Sequence, residues 1–125
     1  MLRIIKTFSI LAPLAAVTGC AGLTPGQANV SDMLPPPKSM AAEAELRGDW
    51  PAAARHWQAA YQAAPGERAV TLSMVRAMRL SGSCGAASAH LGRLLAKDAG
   101  DADALLESAK CNLVAGQPEA AEATL

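Results

Sequence analysis

The chain has 125 residues, with 11 Lys+Arg against 11 Asp+Glu and a formal charge of zero. That length gives room for one small domain, and the balance argues against a nucleic-acid binder working through a dominant basic face. Apolar residues make up 51% but aromatics only 3%, and 29 alanines account for most of the gap; alanine favours helix and disfavours strand, so the composition predicts an all-α fold rather than a β one.

The first twenty residues read as an address. Arg3 and Lys6 supply a basic start, Phe8 to Val17 is apolar apart from Ser9 and Pro13, and the run closes on Val17-Thr18-Gly19-Cys20. A basic start, a short apolar stretch and a small-residue end make a secretory signal. The stretch falls short of the ~20 residues that span a bilayer comfortably. An apolar residue, two small ones and then cysteine resembles the lipobox of bacterial lipoproteins. The resemblance implies cleavage of 1–19 as a signal peptide and lipidation of Cys20 by diacylglyceryl and acyl chains; several chains are needed for stable anchoring. The competing reading is an uncleaved anchor with an ordinary cysteine. Ala21 stands where many inner-membrane lipoproteins carry Asp, so the resemblance implies the outer membrane, periplasmic face. Loss of Arg3 and Lys6 leaves 9 basic and 11 acidic residues, a net charge of −2.

Residues 20–38 follow as the lipidated cysteine and a tether. Pro25, Gly26, Asn29, Ser31, Asp32 and the run Pro35-Pro36-Pro37 offer little to build a core. Consecutive prolines favour extended polyproline geometry, and a coil of this length spans about 25 Å. A polyproline ligand for a partner is the rival reading of the same run.

From Ser39 the pattern becomes periodic. Gly48, Gly82 and Gly116 are 34 residues apart, as are Ala53, Ala87 and Ala121, and Trp57, Leu91 and Leu125. A period of 34 is the mark of stacked helix–turn–helix units. Each Gly suits a turn between helices. Each Ala permits close helix approach, and the large residue four positions on fills the same face. Pro51 and Pro118 fit first helical turns, Pro65 follows a helix end, and Asp49 and Asp101 suit N-caps. Helices are predicted near 39–47, 51–64, 67–81, 86–97, 102–115 and 118–125.

These residues resemble the tetratricopeptide repeat (TPR) family. Gly48, Trp50, Ala53, Trp57, Ala60 and Pro65 match its whole pattern in the first unit; the second keeps Gly82, Ala87 and Leu91 but has Cys84, Leu94 and Ala99 elsewhere, and the third stops at Leu125. The resemblance implies a TPR helix–turn–helix solenoid over 39–125, about two and a half repeats, with the third truncated. Solenoids ordinarily end in a polar capping helix, so the chain is expected to be a fragment or to cover its end with a partner. In TPR relatives peptides contact one face of each first helix. Here that face carries Leu72, Arg76, Arg79 and Leu80, then Leu106, Lys110, Leu113 and Val114, an apolar groove with a basic stripe. Such a groove suits a segment bearing carboxylates. The plainer alternative makes the leucines inter-repeat core and the cations solubilising.

Little else could carry chemistry. His56 and His90 are also 34 apart, but two histidines without a third ligand make a poor metal site, and both fit the convex surface. Cys84 in a turn and Cys111 late on a first helix admit two readings: a disulfide, worth about 3 kcal/mol in an oxidising compartment, or two buried thiols. Gly82-Ser83-Cys84-Gly85 lacks the Lys and preceding strand of a phosphate loop and fits a turn. Glu43 and Glu45 do not share a helix face, and Glu107, Glu119 and Glu122 read as solvated. No enzyme, cofactor, metal, nucleic acid or small-molecule substrate is expected.

The expectation is therefore a lipid-anchored periplasmic scaffold for protein partners. The order lipobox, tether, repeats also resembles the TPR lipoproteins of pilus and secretion systems, in character nearest the TadD-like group of the tight-adherence (Flp) pilus, which implies a secretin or another pilus component as partner. Alternatives are a general envelope scaffold for cell-wall or outer-membrane protein assembly, or the N-terminal part of a longer enzyme.

Overall fold

A computed structural model describes residues 34–125. The expected signal segment 1–19, the expected lipidation site Cys20 and the expected tether up to residue 33 lie outside the described residues. Among those described, every regular element is helical: α1 (Pro37–Leu46), α2 (Trp50–Ala63), α3 (Arg68–Leu80), α4 (Cys84–Lys97), α5 (Ala102–Val114) and α6 (Pro118–Thr124). Each helix packs on the next in sequence, and α3 also touches α5. No helix of the described residues is long and apolar enough to cross a membrane.

The helices form three pairs, and the same turn closes each. Gly48, Gly82 and Gly116 take φ of +68°, +85° and +72°, a left-handed backbone that glycine enters without a Cβ penalty. The glycine N–H reaches back to Glu45, Arg79 and Leu113 O in turn, at 2.9–3.0 Å. The following N–H (Asp49, Ser83 or Gln117) reaches Ala44, Met78 or Asn112 O at 2.7–2.9 Å. This paired bonding satisfies helix-end carbonyls that would otherwise lack donors. Links between pairs repeat as well: Glu67 N–H donates to Ala64 O at 3.1 Å, and Asp101 N–H to Asp98 O at 3.2 Å.

Helix starts follow from the side chains present. Asp49 accepts the Ala52 N–H at 3.0 Å, and Asp101 accepts that of Ala104 at 3.1 Å. Pro37, Pro51 and Pro118 sit in first turns, where a missing N–H has no helical partner to lose. Two boundaries differ from expectation. The proline run does not stay extended to Lys38: Pro36 caps α1 and Pro37 begins it, because proline's fixed φ suits a first helical turn as well as an extended chain. Cys84 is the first residue of α4 rather than part of the turn, which Gly82 and Ser83 complete alone.

Small residues let the helices close up. Ala53, Ala87 and Ala121 are all buried. One cluster joins Ala44, Ala52, Ala53 and Ala77. The larger joins Met74, Val75, Met78, Ala87, Leu91, Leu94, Ala104 and Cys111. Trp57 packs against both, and its indole N–H donates to Glu45 Oε1 at 2.7 Å. The large-residue column breaks at its third member. Leu125, just past α6, is 78% exposed.

Arg68, opening α3, donates bidentately to Asp101 (2.8 and 2.6 Å) and once to Asp103 (2.7 Å), linking the starts of α3 and α5. Bonds from Arg68, then from the Ala104 N–H, hold the Asp101 carboxyl down at about 2, against an ordinary 3.8. The folded value lies below the unfolded one, so this contribution is whole above about pH 4 and is lost as pH falls towards 2. Urea midpoints measured across that window should fall with acid in the native chain, and Asp101→Asn should flatten the fall. Parallel curves would remove Asp101 from the acid response.

Candidate functional site

The face that the resemblance to TPR proteins singled out is formed by α3 and α5. Leu72, Arg76, Arg79 and Leu80 project from α3 at helical spacing, and Leu106, Lys110, Leu113 and Val114 from α5. Their surroundings divide them. Leu72 is half-buried and packs against the larger core cluster, so it serves the core. Leu80, Leu106, Leu113 and Val114 stay exposed.

Leu46, on α1, joins this set. It lies 34 residues before Leu80, and Leu80 lies 34 before Val114. Their exposures run from 39% at Leu80 to 88% at Leu46. A recurring exposed aliphatic column is a stronger sign of an interaction surface than scattered leucines. The 34-residue spacing carries the column, with Leu46 at the end of the short first helix.

The basic stripe is largely neutralised from within. Arg79 Nε donates to Glu107 Oε2 at 2.8 Å, and Lys110 Nζ donates to Oε1 at 3.0 Å. Glu107, expected to be solvated, is buried. Burial alone would raise its pKa and is the largest single influence. The bonds and charges of Arg79 and Lys110 together outweigh it, so the carboxyl is held below its ordinary value. Arg79 and Lys110 are thus bound to a carboxylate of their own chain. Arg76 remains exposed, with no carboxylate partner among the described residues. Glu107 stands three residues before Lys110 on α5, which is the signal that could have linked them.

Cys84 and Cys111 are joined as a disulfide with Cα atoms 5.4 Å apart, stapling the start of α4 to the end of α5. The two histidines have different surroundings. His90 packs edge-on against Tyr61, with ring centroids 5.0 Å apart, and meets Arg93, while His56 is half-buried on α2. No group of three or more metal-ligating side chains occurs among the described residues.

The α3–α5 face therefore has exposed aliphatic side chains, one free guanidinium and an internally closed ionic trio. It can hold an apolar helix or strand by burial and orient it through a single carboxylate on Arg76. No protein-family model, curated protein or solved structure matches the chain.

Proposed function

We propose that the chain is a TPR-type lipoprotein, anchored through Cys20 at the periplasmic face of the outer membrane, which holds a protein partner on its α1–α3–α5 face. The observation that carries the reading is the recurrence, every 34 residues, of one left-handed glycine turn together with the exposed column Leu46, Leu80 and Val114. A surface that repeats with its scaffold suits an extended partner that meets successive units in one register. Lipidation and a short tether would confine it to the membrane and raise its effective concentration near a membrane-bound partner. The architecture resembles the pilus-assembly group, so the partner proposed is a secretin or another component of a Flp-type pilus.

Two measurements test this in a Gram-negative host. Radiolabelled palmitate should enter the native chain and not Cys20→Ala. A photo-crosslinking residue at position 80 or 113 should trap a partner, whereas one at exposed Ala59 on α2 should not; Arg76→Glu should weaken the adduct about tenfold, as loss of one charged hydrogen bond implies. Equal labelling of Cys20→Ala would end the lipoprotein reading. Equal trapping at 59 and 80 would end the assignment of the face. Loss of piliation without Cys20 would support the pilus role, and altered cell shape or porin levels would replace it with a general envelope scaffold.

A further inference from the structure

A second concavity lies away from the aliphatic column. The end of α2, the start of α3, the second half of α4 and the link to α5 enclose a cleft of about 420 Å³. That is within the range of small-molecule sites and gives room for about fourteen water-sized groups. Tyr61, Thr71 and Leu94 line it, with charged groups around them.

Those charges are not equivalent. Arg68 is consumed by Asp101 and Asp103. Asp98 accepts the Gly100 N–H at 2.9 Å. Arg93 and Lys97 have no carboxylate partner among the described residues. The Arg93 guanidinium is held from one side only: Nη1 lies 3.2 Å from His90 Nδ1 and donates to Tyr61 Oη at 3.4 Å. Burial, and then the charge of Arg93, lower the His90 pKa, which favours the neutral ring and an Nδ1 lone pair facing Arg93. A neutral histidine and a phenol thus position the guanidinium without cancelling its charge, and its other N–H donors stay free for an anion.

We propose that this cleft binds a small carboxylate with an apolar body, its acid group on Arg93 and Lys97 and its body against Tyr61, Thr71 and Leu94. The charge is matched by the two free cations and the body by the lining. The site is independent of the α1–α3–α5 face, so it could fail without affecting that assignment. A free organic acid and the C-terminal carboxylate of a peptide share this chemistry.

Tyr61 is the chain's single tyrosine, so 13C-tyrosine labelling of the full-length chain gives one reporter in the cleft wall. Titration with 4-phenylbutyrate should shift that signal with a Kd of about 1 mM, as expected for about a dozen non-hydrogen atoms. The neutral 4-phenylbutyramide should not shift it at the same concentrations. Arg93→Gln should weaken binding about tenfold and Lys97→Gln by less, while Arg55→Gln, exposed on α2 outside the cleft, should leave it unchanged. If Arg93→Gln disturbs the fold, Lys97→Gln and the acid–amide comparison still decide. Competition by a phenylalanine-ended tripeptide acid, and not by its amide, would name a peptide C-terminus as the source; failure of the tripeptide acid to compete would leave a free organic acid. Equal shifts from acid and amide, no shift up to about 10 mM, or a native Kd in both Arg93→Gln and Lys97→Gln would overturn the proposal.

Discussion

Reducing the bridge between Cys84 and Cys111 should lower the thermal midpoint of the full-length chain by more than about 10 °C. The two residues are 27 apart in sequence, and closing a loop of that size removes about 3 kcal/mol of conformational freedom from the unfolded chain. A helical unit this small shifts by about 4–8 °C per kcal/mol. The position adds to the effect. Cys84 opens α4 and Cys111 sits near the end of α5, so the bridge joins the second helix of one pair to the first helix of the next. Without it that boundary relies on Ala104, Leu94 and their neighbours in the larger cluster. Calorimetry with and without reductant, and on Cys84→Ser with Cys111→Ser, should give the same lowered midpoint. A midpoint indifferent to reductant and to both substitutions would mean that the bridge does not form in solution.

The glycine turns were legible in the sequence because one spacing recurs in glycine, alanine and large apolar columns, and because only glycine enters a left-handed turn freely. Ala53, Ala87 and Ala121 are buried for the same reason. The boundary at Pro37 was less legible, since proline serves both an extended chain and a first helical turn. Periodicity says which face a residue occupies, and it is silent on the partner it meets from the next helix. Glu107 was misjudged on that account: a carboxylate on a helix reads as solvated unless the cations of α3 are known to face it. The cleft was hidden for a related reason. Tyr61, His90 and Arg93 come from two helices about one repeat apart, and each alone looks like a surface residue.

The two surfaces draw on different side chains of one scaffold. Alanines bring the helices close, and Met74, Met78, Leu91 and Leu94 fill the depth between them. Aliphatic side chains at the ends of α1, α3 and α5 remain outside that core, as Leu46, Leu80 and Val114 do. On α2, Trp57 packs against both clusters and Tyr61 meets His90 of α4. The same helices thus present an aliphatic column from α1, α3 and α5 and a charged cleft among α2, α3 and α4.

Glu107→Gln should destabilise the chain by about 2–3 kcal/mol, a midpoint loss of about 10–20 °C. Arg79 is only 16% exposed in its side chain and meets no other carboxylate among the described residues. Taking one partner from a buried ion pair typically costs about 3–5 kcal/mol, because the remaining charge is left without water or counterion. The figure here is smaller because Lys110 is partly exposed and can rehydrate. Arg79→Met combined with Glu107→Gln should recover most of the loss, since the stranded cation is then gone and an apolar side chain takes its place. Acid should mimic the single variant. The folded Glu107 carboxyl titrates below its ordinary 4.5, so its contribution is present above that value and lost as pH falls through the lower folded one. Urea denaturation of the native chain and the single and double variants separates the outcomes. A single variant within about 0.5 kcal/mol of native would make the trio an ordinary surface pairing. The same variants bear on function: freeing Lys110 while Arg79 is absent restores a second cation beside Arg76. Capture of an acidic partner at position 80 should then hold or improve despite the lost carboxylate, whereas a fall in capture would make Glu107 itself part of the partner's contact.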